Sequence, residues 1–318
     1  MNRIINQVVT LVNKDLVKED SFIHPFSKEQ IEINESKFRV LSILPEKQTK
    51  RITFIDGGSS IIFGSSNYGV AQIKLAYVTY SSKELIGRDV ISLLSYFDLF
   101  NKSVQCFSLE EENDFVNNLT KDIVDVQGET VEEMVNNFRR ICELSLGREV
   151  SDKCDMIVFD GSLECKSQEE SEIINNIKLS NKSIVGFCKS CSLLTQNGRS
   201  IIDTVSRLSK GIKEELFYLD MNENNINQTK ITFAKLNPKS KNIFRIDFIG
   251  ANPLSYLLEQ CTDAVFLGYP YGLVRVDMEA RVSDYEKSIL RTMFSSKIDL
   301  DNLEQSNNAH SKLDSIQF

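Results

Sequence analysis

Apolar residues recur along the chain with two different periods, and each period predicts a kind of element. A period near that of the α-helix predicts helices from the N-terminus to about Glu19 and over 89–126, 131–146, 169–179, 198–210 and 276–294. Short apolar or alternating runs predict strands over 51–55, 70–80, 156–159, 183–187, 231–234, 243–248 and 264–267. Strand pairs come first and strands alternating with helices follow, which predicts an α/β fold: a mixed sheet flanked by helices.

We expect one folded domain with a segment at each end. No fixed-period repeat and no Pro-, Gly- or Ser-rich linker interrupts the chain. The simplest division is an N-terminal extension of helix and loop over 1–50, a domain over 51–294 and a flexible, polar C-terminal tail over 295–318. Asp56-Gly57-Gly58-Ser59-Ser60 is predicted to form a turn after the first strand of the domain.

Composition excludes several classes of protein. Hydrophobic residues make up 41% and charged residues 26% of the 318 residues, so wholesale disorder is excluded. No run of about 18 apolar residues is present to span a membrane, and the first residues lack the features of a signal peptide, so we expect a cytoplasmic protein. Seven cysteines in such a chain do not indicate a disulfide framework. With only His24 and His310, a histidine metal site or a Ser-His-Asp triad lacks its parts.

Charge is divided unevenly along the chain, whose formal net charge is -8. Residues 84–177 contain 21 acidic against 8 basic residues, and residues 178–245 contain 12 basic against 5 acidic ones. The first block offers carboxylates for cations and the second offers cationic side chains for phosphates, as a metal-dependent nuclease requires. The alternative is two solvated surfaces of opposite sign, which is the commoner meaning of charge runs.

Two similar segments carry the candidate chemistry. Each is an apolar strand that ends in Asp-Gly: Phe54-Ile55-Asp56-Gly57 and Val158-Phe159-Asp160-Gly161. An acid at the end of a buried strand is fixed by rigid backbone, and the glycine beside it lets a ligand approach closely. If both strands lie in one sheet, the two carboxylates can converge and bind Mg²⁺ or Mn²⁺. The alternative is that each Asp only caps a turn.

These segments, with two others in the same order, resemble the NurA nuclease family. The four motifs are Asp56–Ser59, Phe159–Leu163, Gly186–Ser190 and Gly268–Leu273 followed by Asp277. None of the four is specific alone, but their order and spacing agree over most of the chain. The resemblance implies an RNase H-like core and a metal-dependent DNA nuclease. It also implies a homodimer that processes DNA ends together with HerA, a hexameric ring-forming ATPase.

The resemblance also assigns roles to single residues. Asp56 and Asp160 would be ligands of Mn²⁺ or Mg²⁺, with a glutamate from the intervening helix and Asp277 completing the set. We choose Glu143 as that glutamate because its helix leads into the Asp160 strand; Glu132 and Glu133 lie further from it. Lys189 follows a strand that should lie near Asp160, where it could contact the scissile phosphate or remain an ordinary surface lysine.

The chain departs from the family pattern at two positions. Many family members carry His where this chain has Asp277, although Asp is an equally suitable oxygen ligand. Gly58 stands where Ser is usual, which costs little if only the neighbouring aspartate binds metal. These departures make Asp277 a weaker assignment than Asp56 and Asp160.

Two readings remain open for the whole protein. The first is a two-metal DNA nuclease; the second is a catalytically inactive dimeric scaffold that docks on an ATPase ring. Acids at all four ligand positions favour the enzyme. Tyr269 and Tyr271 could stack on bases or pack in the core. The Cys-x-x-Cys pair around Lys189 lacks the second pair that a zinc site needs, so we interpret it as packing.

Overall fold

The computed structural model describes residues 4–5, 20–41, 50–109, 114–122, 126–180, 182–212, 215–221 and 229–300. Within them, ten strands form one mixed sheet in the order β3-β10-β11-β12-β9-β8-β4-β5-β6-β7, and β1 and β2 form a separate antiparallel pair. The strands are β1 (Asp20–Ile23), β2 (Gln30–Ile33), β3 (Phe38–Val40), β4 (Arg51–Gly64), β5 (Tyr68–Ser81), β6 (Glu84–Asp98), β7 (Ser103–Ser108), β8 (Met156–Asp160), β9 (Ser183–Cys188), β10 (Phe217–Leu219), β11 (Lys230–Lys235) and β12 (Phe244–Ile249).

Helices cover both faces of this sheet. The α-helices are α1 (Asp114–Asp122), α2 (Val131–Val150), α3 (Gln168–Leu179), α4 (Ile201–Leu208), α5 (Leu254–Leu257), α6 (Tyr271–Ala280) and α7 (Asp284–Ser295). Side chains of α1, α2 and α3 share one hydrophobic core with β5 and β6. Side chains of α5 and α6 share a second core with the other face of β4, β8 and β9. A third core lies under α4 and includes the β1–β2 pair.

The strand connections are those of an RNase H-like fold. β4, β5 and β6 form an antiparallel meander. β8 then pairs in parallel with the other edge of β4, and β9 pairs in parallel with β8. The order β6-β5-β4-β8-β9 confirms the predicted mixed α/β sheet. The arrangement brings the ends of β8 and β9 beside the middle of β4, where Asp56 lies.

Most of the predicted elements are present. The strands over 156–159 and 183–187 and the helices over 131–146 and 169–179 match β8, β9, α2 and α3 within a few residues. The predicted pairs form as well: β4 pairs with β5, and β11 pairs with β12 around Pro238. No helix in the described ranges is long and apolar enough to cross a membrane.

The predicted helix over 89–126 is wrong. The chain forms β6 and β7 there, and among the described residues of this segment only α1 is helical. Ile91, Leu93, Ser95 and Phe97 are buried while their neighbours are more exposed, which is the period of a strand. β6 pairs with β5 over its whole length. The apolar residues of β6 therefore fit the period of a helix as well as that of a strand, and pairing with β5 favoured the strand.

The turn predicted at Asp56–Ser60 is also wrong, because β4 continues through it. Asp56 pairs with Ala76 and Ser60 pairs with Gln72, so β5 holds the segment extended. Asp56 therefore lies in the middle of a strand and its side chain is buried. The two glycines do not reverse the chain; they allow α2 and α6 to approach β4 closely.

The C-terminal part differs from the prediction in two places. Residues 264–267 form bends and turns, not a strand, and the helix predicted over 276–294 is two helices, α6 and α7, separated at Arg281–Ser283. Ser283 and Glu286 form a capping box that begins α7. Because Ser-x-x-Glu is readable in sequence, this boundary had a local signal.

The two terminal segments are described only in part. Of the predicted opening helix the structure describes Ile4 and Ile5, which are helical; residues 6–19 lie outside the described ranges. The described part of the extension contains β1, β2 and β3 where a loop was predicted, and β3 joins the main sheet. Of the predicted flexible tail, Leu300 is buried against Ile62 and Phe63, and residues 301–318 lie outside the described ranges.

Candidate metal centre

Three aspartates from three elements converge at one point. Asp56 lies in β4, Asp160 ends β8, and Asp277 lies on α6. One carboxylate oxygen from each lies within 4.8 Å of the other two, and this is the group of possible metal ligands found among the described residues. We call these three residues the aspartate trio. β4 and β8 pair in parallel with Ile55 opposite Phe159, which places Asp56 and Asp160 at the same level of the sheet.

Local structure fixes each member of the trio. The Asp56 carboxylate accepts a hydrogen bond from the Gly57 amide at 2.8 Å. Gly161 follows Asp160 with φ of 111°, a conformation that glycine adopts readily, and so the chain leaves the sheet directly after the carboxylate. Leu273, Val276 and Ala280 on α6 are buried in the core, which turns the Asp277 side of the helix toward β4.

Burial and like charge act strongly on Asp56. Removal from water and, to a smaller extent, the charges of Glu143 and Asp160 raise the pKa of Asp56 from 3.8 to about 7. The hydrogen bond from the Gly57 amide and the charge of Lys189 act in the opposite direction. A cation at the trio would remove this repulsion. Hard carboxylate oxygens that converge from three elements fit Mg²⁺ or Mn²⁺.

Two basic side chains contact the trio. Lys189 Nζ lies 2.6 Å from Asp160 Oδ2 and 3.3 Å from Asp277 Oδ1. Burial lowers the pKa of Lys189, but its hydrogen bond to Asp160 and the nearby charges of the trio outweigh burial and raise it overall. Arg281 Nη2 lies 3.2 Å from Asp277 Oδ2. Lys189 is therefore an ammonium within the centre and not an isolated surface lysine.

Glu143 lies next to the trio but outside it. Its buried carboxylate pairs with Arg139 at 2.6 Å and with Arg140 at 3.3 Å. Burial raises the pKa of Glu143, and the two arginines oppose that effect. Glu132 and Glu133 are exposed in the first turn of α2, where Glu133 accepts a hydrogen bond from Glu129.

The two arginines connect Glu143 with both aspartate segments. Arg139 also donates to the Gly57 carbonyl at 2.6 Å, and Arg140 donates to the Ser162 carbonyl at 2.8 Å. Glu143 thus helps to fix the backbone beside Asp56 and the loop after Asp160. Neither arginine was predicted from the sequence to belong to the site. Their spacing of four and three residues from Glu143 is nevertheless the spacing of ion pairs on a helix.

Tyr269 is a further member of the centre that the sequence left undecided. It is buried, and its hydroxyl donates to Asp160 Oδ1 at 3.3 Å. Burial and the neighbouring carboxylates raise its pKa well above the usual value, so it stays a donor. Tyr271 is partly exposed and packs edge-on against Tyr80. Tyr269 is therefore a core residue that orients Asp160.

A buried ion pair holds the loop that follows Asp160. Arg245 and Asp247 are both almost inaccessible to solvent, and their side chains make two hydrogen bonds of 2.8 Å. Asp247 Oδ2 also accepts from the Leu163 amide at 3.0 Å, and Arg245 contacts Glu164 at 2.7 Å. Residues 161–164 are therefore tied to β12. The sequence gives no local signal for this contact, which joins segments far apart in the chain.

Comparison with known proteins shows the family of the chain. The NurA domain model matches residues 50–282, which is most of the chain. The chain belongs to the NurA family. The resemblance in the four motifs is thus confirmed. No curated protein sequence matches the chain.

Two NurA crystal structures share the fold of this NurA protein. The NurA nuclease from Sulfolobus solfataricus is 13% identical, with a TM-score of 0.52 and coverage of 94% of each chain. A second NurA structure is 9% identical, with a TM-score of 0.52 and coverage of 93% of this chain and 96% of that one. At sequence identities this low, the structural similarity shows a shared fold and does not assign roles to single residues. The arrangement of the trio, including Asp277 at the position where a family His was expected, comes from this chain's own geometry.

Proposed function

We propose that this NurA protein is a metal-dependent DNA nuclease that hydrolyses phosphodiester bonds at the aspartate trio. The observation that carries the proposal is the convergence of Asp56, Asp160 and Asp277 within 4.8 Å on an RNase H-like sheet. The family membership supports the same activity. An inactive scaffold would not need three acids brought together, one of them buried, at the free-energy cost that the raised pKa of Asp56 indicates.

The residues of the chain have distinct roles in this proposal. Asp56, Asp160 and Asp277 would hold Mn²⁺ or Mg²⁺. We propose a two-ion site, in which Glu143, whose charge acts on Asp56, would be the fourth carboxylate ligand. Bound divalent ions polarise a phosphate, lower the pKa of a bound water and stabilise the leaving oxygen. Tyr269 orients Asp160, and Lys189 is placed to contact a phosphate oxygen at the trio.

The test is cleavage of end-labelled single- and double-stranded DNA with Mn²⁺, with Mg²⁺ and with EDTA. We expect cleavage only with a divalent metal, and its loss in Asp56→Asn and Asp160→Asn. Asp155→Asn is the matched control, because Asp155 directly precedes β8 at the other end of the same strand and pairs with Arg51. Metal-independent cleavage, or full activity in either trio variant, would refute the proposal.

The role of Glu143 requires a separate comparison. We expect Glu143→Gln to lose most cleavage and Glu133→Gln, on the exposed first turn of the same helix, to retain it. Measured Mn²⁺ binding separates the two possible causes. A ligand role predicts that Glu143→Gln binds less Mn²⁺, whereas a role in holding Arg139 and Arg140 predicts normal Mn²⁺ binding with lower stability.

The proposed biological context is DNA end processing in repair and recombination, as a homodimer working with a HerA-type hexameric ATPase. The support is the family resemblance, together with the absence from the sequence of a Gly-x-x-x-x-Gly-Lys-Ser/Thr loop with which to drive movement along DNA. Co-purification of the protein with the ATPase of its own source tests the partnership. Failure to co-purify, with no effect of that ATPase on cleavage, would contradict it.

A further inference from the structure

A polar cavity lies at the same end of the sheet as the aspartate trio. Its volume is about 480 Å³. Three lysines and three serines supply its polar lining: Lys235, Lys239, Lys241, Ser206, Ser209 and Ser240. None of the described residues that line it is acidic. The described lining therefore presents positive charge and hydroxyl donors, which is the chemistry that binds phosphate.

Strand directions place this cavity at the same end of the sheet as the metal centre. β12 runs antiparallel to β9 with Arg245 opposite Cys188, so the β11–β12 loop lies at the end where Asp160 and Lys189 emerge. Lys235 lies on the α4 side of the sheet with Phe233, whereas Asp160 lies on the α6 side with Val158. Three strand spacings separate β8 from β11, a distance of roughly 15 Å. Ser240 in the loop packs beside Gly268, which directly precedes Tyr269, so the loop connects the two sides. A DNA strand with one phosphate at the trio would pass around the end of the sheet to reach the cavity.

The loop that carries the lysines is held in one conformation. Asn237 donates from its side chain to the Cys261 carbonyl at 3.1 Å and accepts from the Lys239 amide at 3.0 Å. The Ser240 hydroxyl accepts from the Asn242 amide at 3.0 Å. Lys239 and Lys241 are exposed on this fixed loop, while Lys235 is buried in the cavity wall. Preorganised cations lose less conformational entropy when a phosphate binds.

A lysine cluster at the opposite end of the sheet provides a comparison. Lys50, Lys178 and Lys182 line an open cavity there together with Asp155. The C-terminus of α3 also lies at this cavity, where backbone carbonyls disfavour an anion. The basic block of the sequence is thus divided between two ends of the sheet, and only one end faces the trio.

We propose that the cavity lined by Lys235, Lys239 and Lys241 binds phosphates of the DNA strand that is cleaved at the trio, a few nucleotides from the scissile bond. The inference rests on the proposed nuclease function. It assigns substrate positioning to this loop, so that DNA long enough to reach the cavity is bound and cleaved in preference to shorter phosphodiesters.

The test compares two charge-reversed variants of the full chain. Lys239→Glu/Lys241→Glu alters the cavity, and Lys178→Glu/Lys182→Glu makes the same change in charge at the far end. Binding of fluorescein-labelled oligodeoxythymidylate is followed by anisotropy at several salt concentrations. We expect the cavity variant to lose roughly tenfold or more in affinity, and its salt slope to fall by about 0.7 for each lost phosphate contact. The far-end variant should lose much less.

Cleavage gives a second readout. The ratio of oligonucleotide cleavage to hydrolysis of bis(4-nitrophenyl) phosphate, which is too short to reach the cavity, should fall in the cavity variant and stay near the wild-type ratio in the far-end variant. Lys239→Gln/Lys241→Gln should also lower the DNA affinity and the cleavage ratio, but by less than the charge-reversed cavity variant. Equal losses in the two charge-reversed variants would overturn the inference, because they would indicate only long-range charge. The inference would also be overturned if inorganic phosphate bound in the cavity and DNA did not.

The two proposals fail in different ways. If the wild-type protein cleaves neither substrate with any divalent metal, the nuclease proposal fails, and the binding comparison still decides whether the cavity holds DNA. If the wild type cleaves DNA and the two charge-reversed variants bind it alike, only the cavity inference fails.

Discussion

At the scale of single residues, the centre is a balance between carboxylates and the cations that contact them. Asp160 is held by the Lys189 ammonium and the Tyr269 hydroxyl, and Asp277 by Lys189 and Arg281. Asp56 has no such contact from a cationic side chain within ion-pair distance in the described part of the chain, and its pKa is raised accordingly. The three aspartates thus differ in the cationic side chains that contact them.

Lys189 competes with a metal ion for Asp160. Its ammonium lies 2.6 Å from Asp160 Oδ2, and two cations at one carboxylate repel each other. We expect Lys189→Gln to bind Mn²⁺ roughly tenfold more tightly, equivalent to about 1.4 kcal/mol, while DNA cleavage falls. Calorimetric titration measures the affinity. Lys74→Gln is the control, since Lys74 pairs with Glu286 on α7. Weaker Mn²⁺ binding in Lys189→Gln would show that the lysine instead positions the carboxylates.

The raised pKa of Asp56 makes the stability of the metal-free protein depend on pH. With a folded-state pKa of about 7 against 3.8, Asp56 holds its proton in the folded state, so its contribution is complete at low pH and is lost as pH rises through about 7. Thermal unfolding in EDTA should show that wild type loses stability relative to Asp56→Asn between about pH 4 and pH 7, by of the order of 1–4 kcal/mol.

A second aspartate controls for the sign of this effect. Hydrogen bonds and charge from Arg51 outweigh partial burial and lower the pKa of Asp155, which therefore titrates below that pH range. The melting curves of Asp155→Asn should run parallel to wild type across it. Parallel curves for wild type and Asp56→Asn would contradict the assignment of a proton to Asp56.

At the scale of secondary-structure elements, the centre depends on close contact between strands and helices. β4 lies between α2 on one face and α6 on the other. A side chain at Gly58 would overlap the carbonyl oxygen of Ala280, the last residue of α6. Gly58 therefore sets the distance between β4 and the helix that carries Asp277, which gives a structural reason for the departure from the family Ser.

Replacing Gly58 should separate Asp277 from the rest of the trio. In Gly58→Ala the new methyl group can be accommodated only if the end of α6 moves, because its neighbour is backbone. We expect about 1–3 kcal/mol lower stability and weaker Mn²⁺ binding. Gly87→Ala is the matched control, since a Cβ there makes only ordinary contacts with Thr79 in the same meander. Unchanged Mn²⁺ binding in a folded Gly58→Ala protein would contradict this account.

The buried pair of Arg245 and Asp247 supports the centre from β12. Removing one member leaves the other charged and buried, so Arg245→Met should lower the free energy of unfolding by about 3–5 kcal/mol. Arg39→Met is the control: the Arg39–Asp220 pair is largely exposed at 3.7 Å and should contribute less than about 1 kcal/mol. Chemical denaturation measures both.

A double replacement tests the reason for that loss. Arg245→Met/Asp247→Leu removes both charges and should recover much of the stability, although not the hydrogen bond from the Leu163 amide. If the double variant is as unstable as Arg245→Met, packing and not an unpaired charge explains the cost.

At the scale of the whole molecule, charge is separated by position on the fold. The formal net charge of -8 repels DNA at a distance, whereas Lys189 contacts the trio and the β11–β12 loop presents cations at the same end of the sheet. The electrostatic attraction between the protein and DNA therefore acts only at short range, near these cations. A homodimer would double the number of such cationic sites along one DNA molecule.

Binding of DNA by the protein alone should be weak and steeply dependent on salt. Each phosphate contact releases counterions, so the logarithm of affinity should fall with the logarithm of salt by about 0.7–0.9 per contact. Adding the HerA-type ATPase should strengthen binding if it supplies further contacts. Anisotropy titrations at several salt concentrations, with and without the ATPase, measure both effects. Tight binding that does not depend on salt would contradict the electrostatic account.

The sequence alone determined the local elements and the first half of the centre. Apolar runs defined β8 and β9, helical periodicity defined α2 and α3, and the two Asp-Gly segments identified Asp56 and Asp160. These features depend on neighbouring side chains and on periods of two or 3.6 residues, which are present in the sequence itself.

Only the tertiary structure decided the rest. The helix predicted over 89–126 became β6 and β7 because β5 offered a partner along its whole length. Asp277, which the family resemblance had assigned as a ligand, reaches the other two aspartates because Gly58 lets α6 contact β4. Arg245 reaches the Asp160 loop only because β12 pairs with β9. Such contacts join residues distant in the chain, and they form because both faces of the sheet must be buried, a condition that no local pattern expresses.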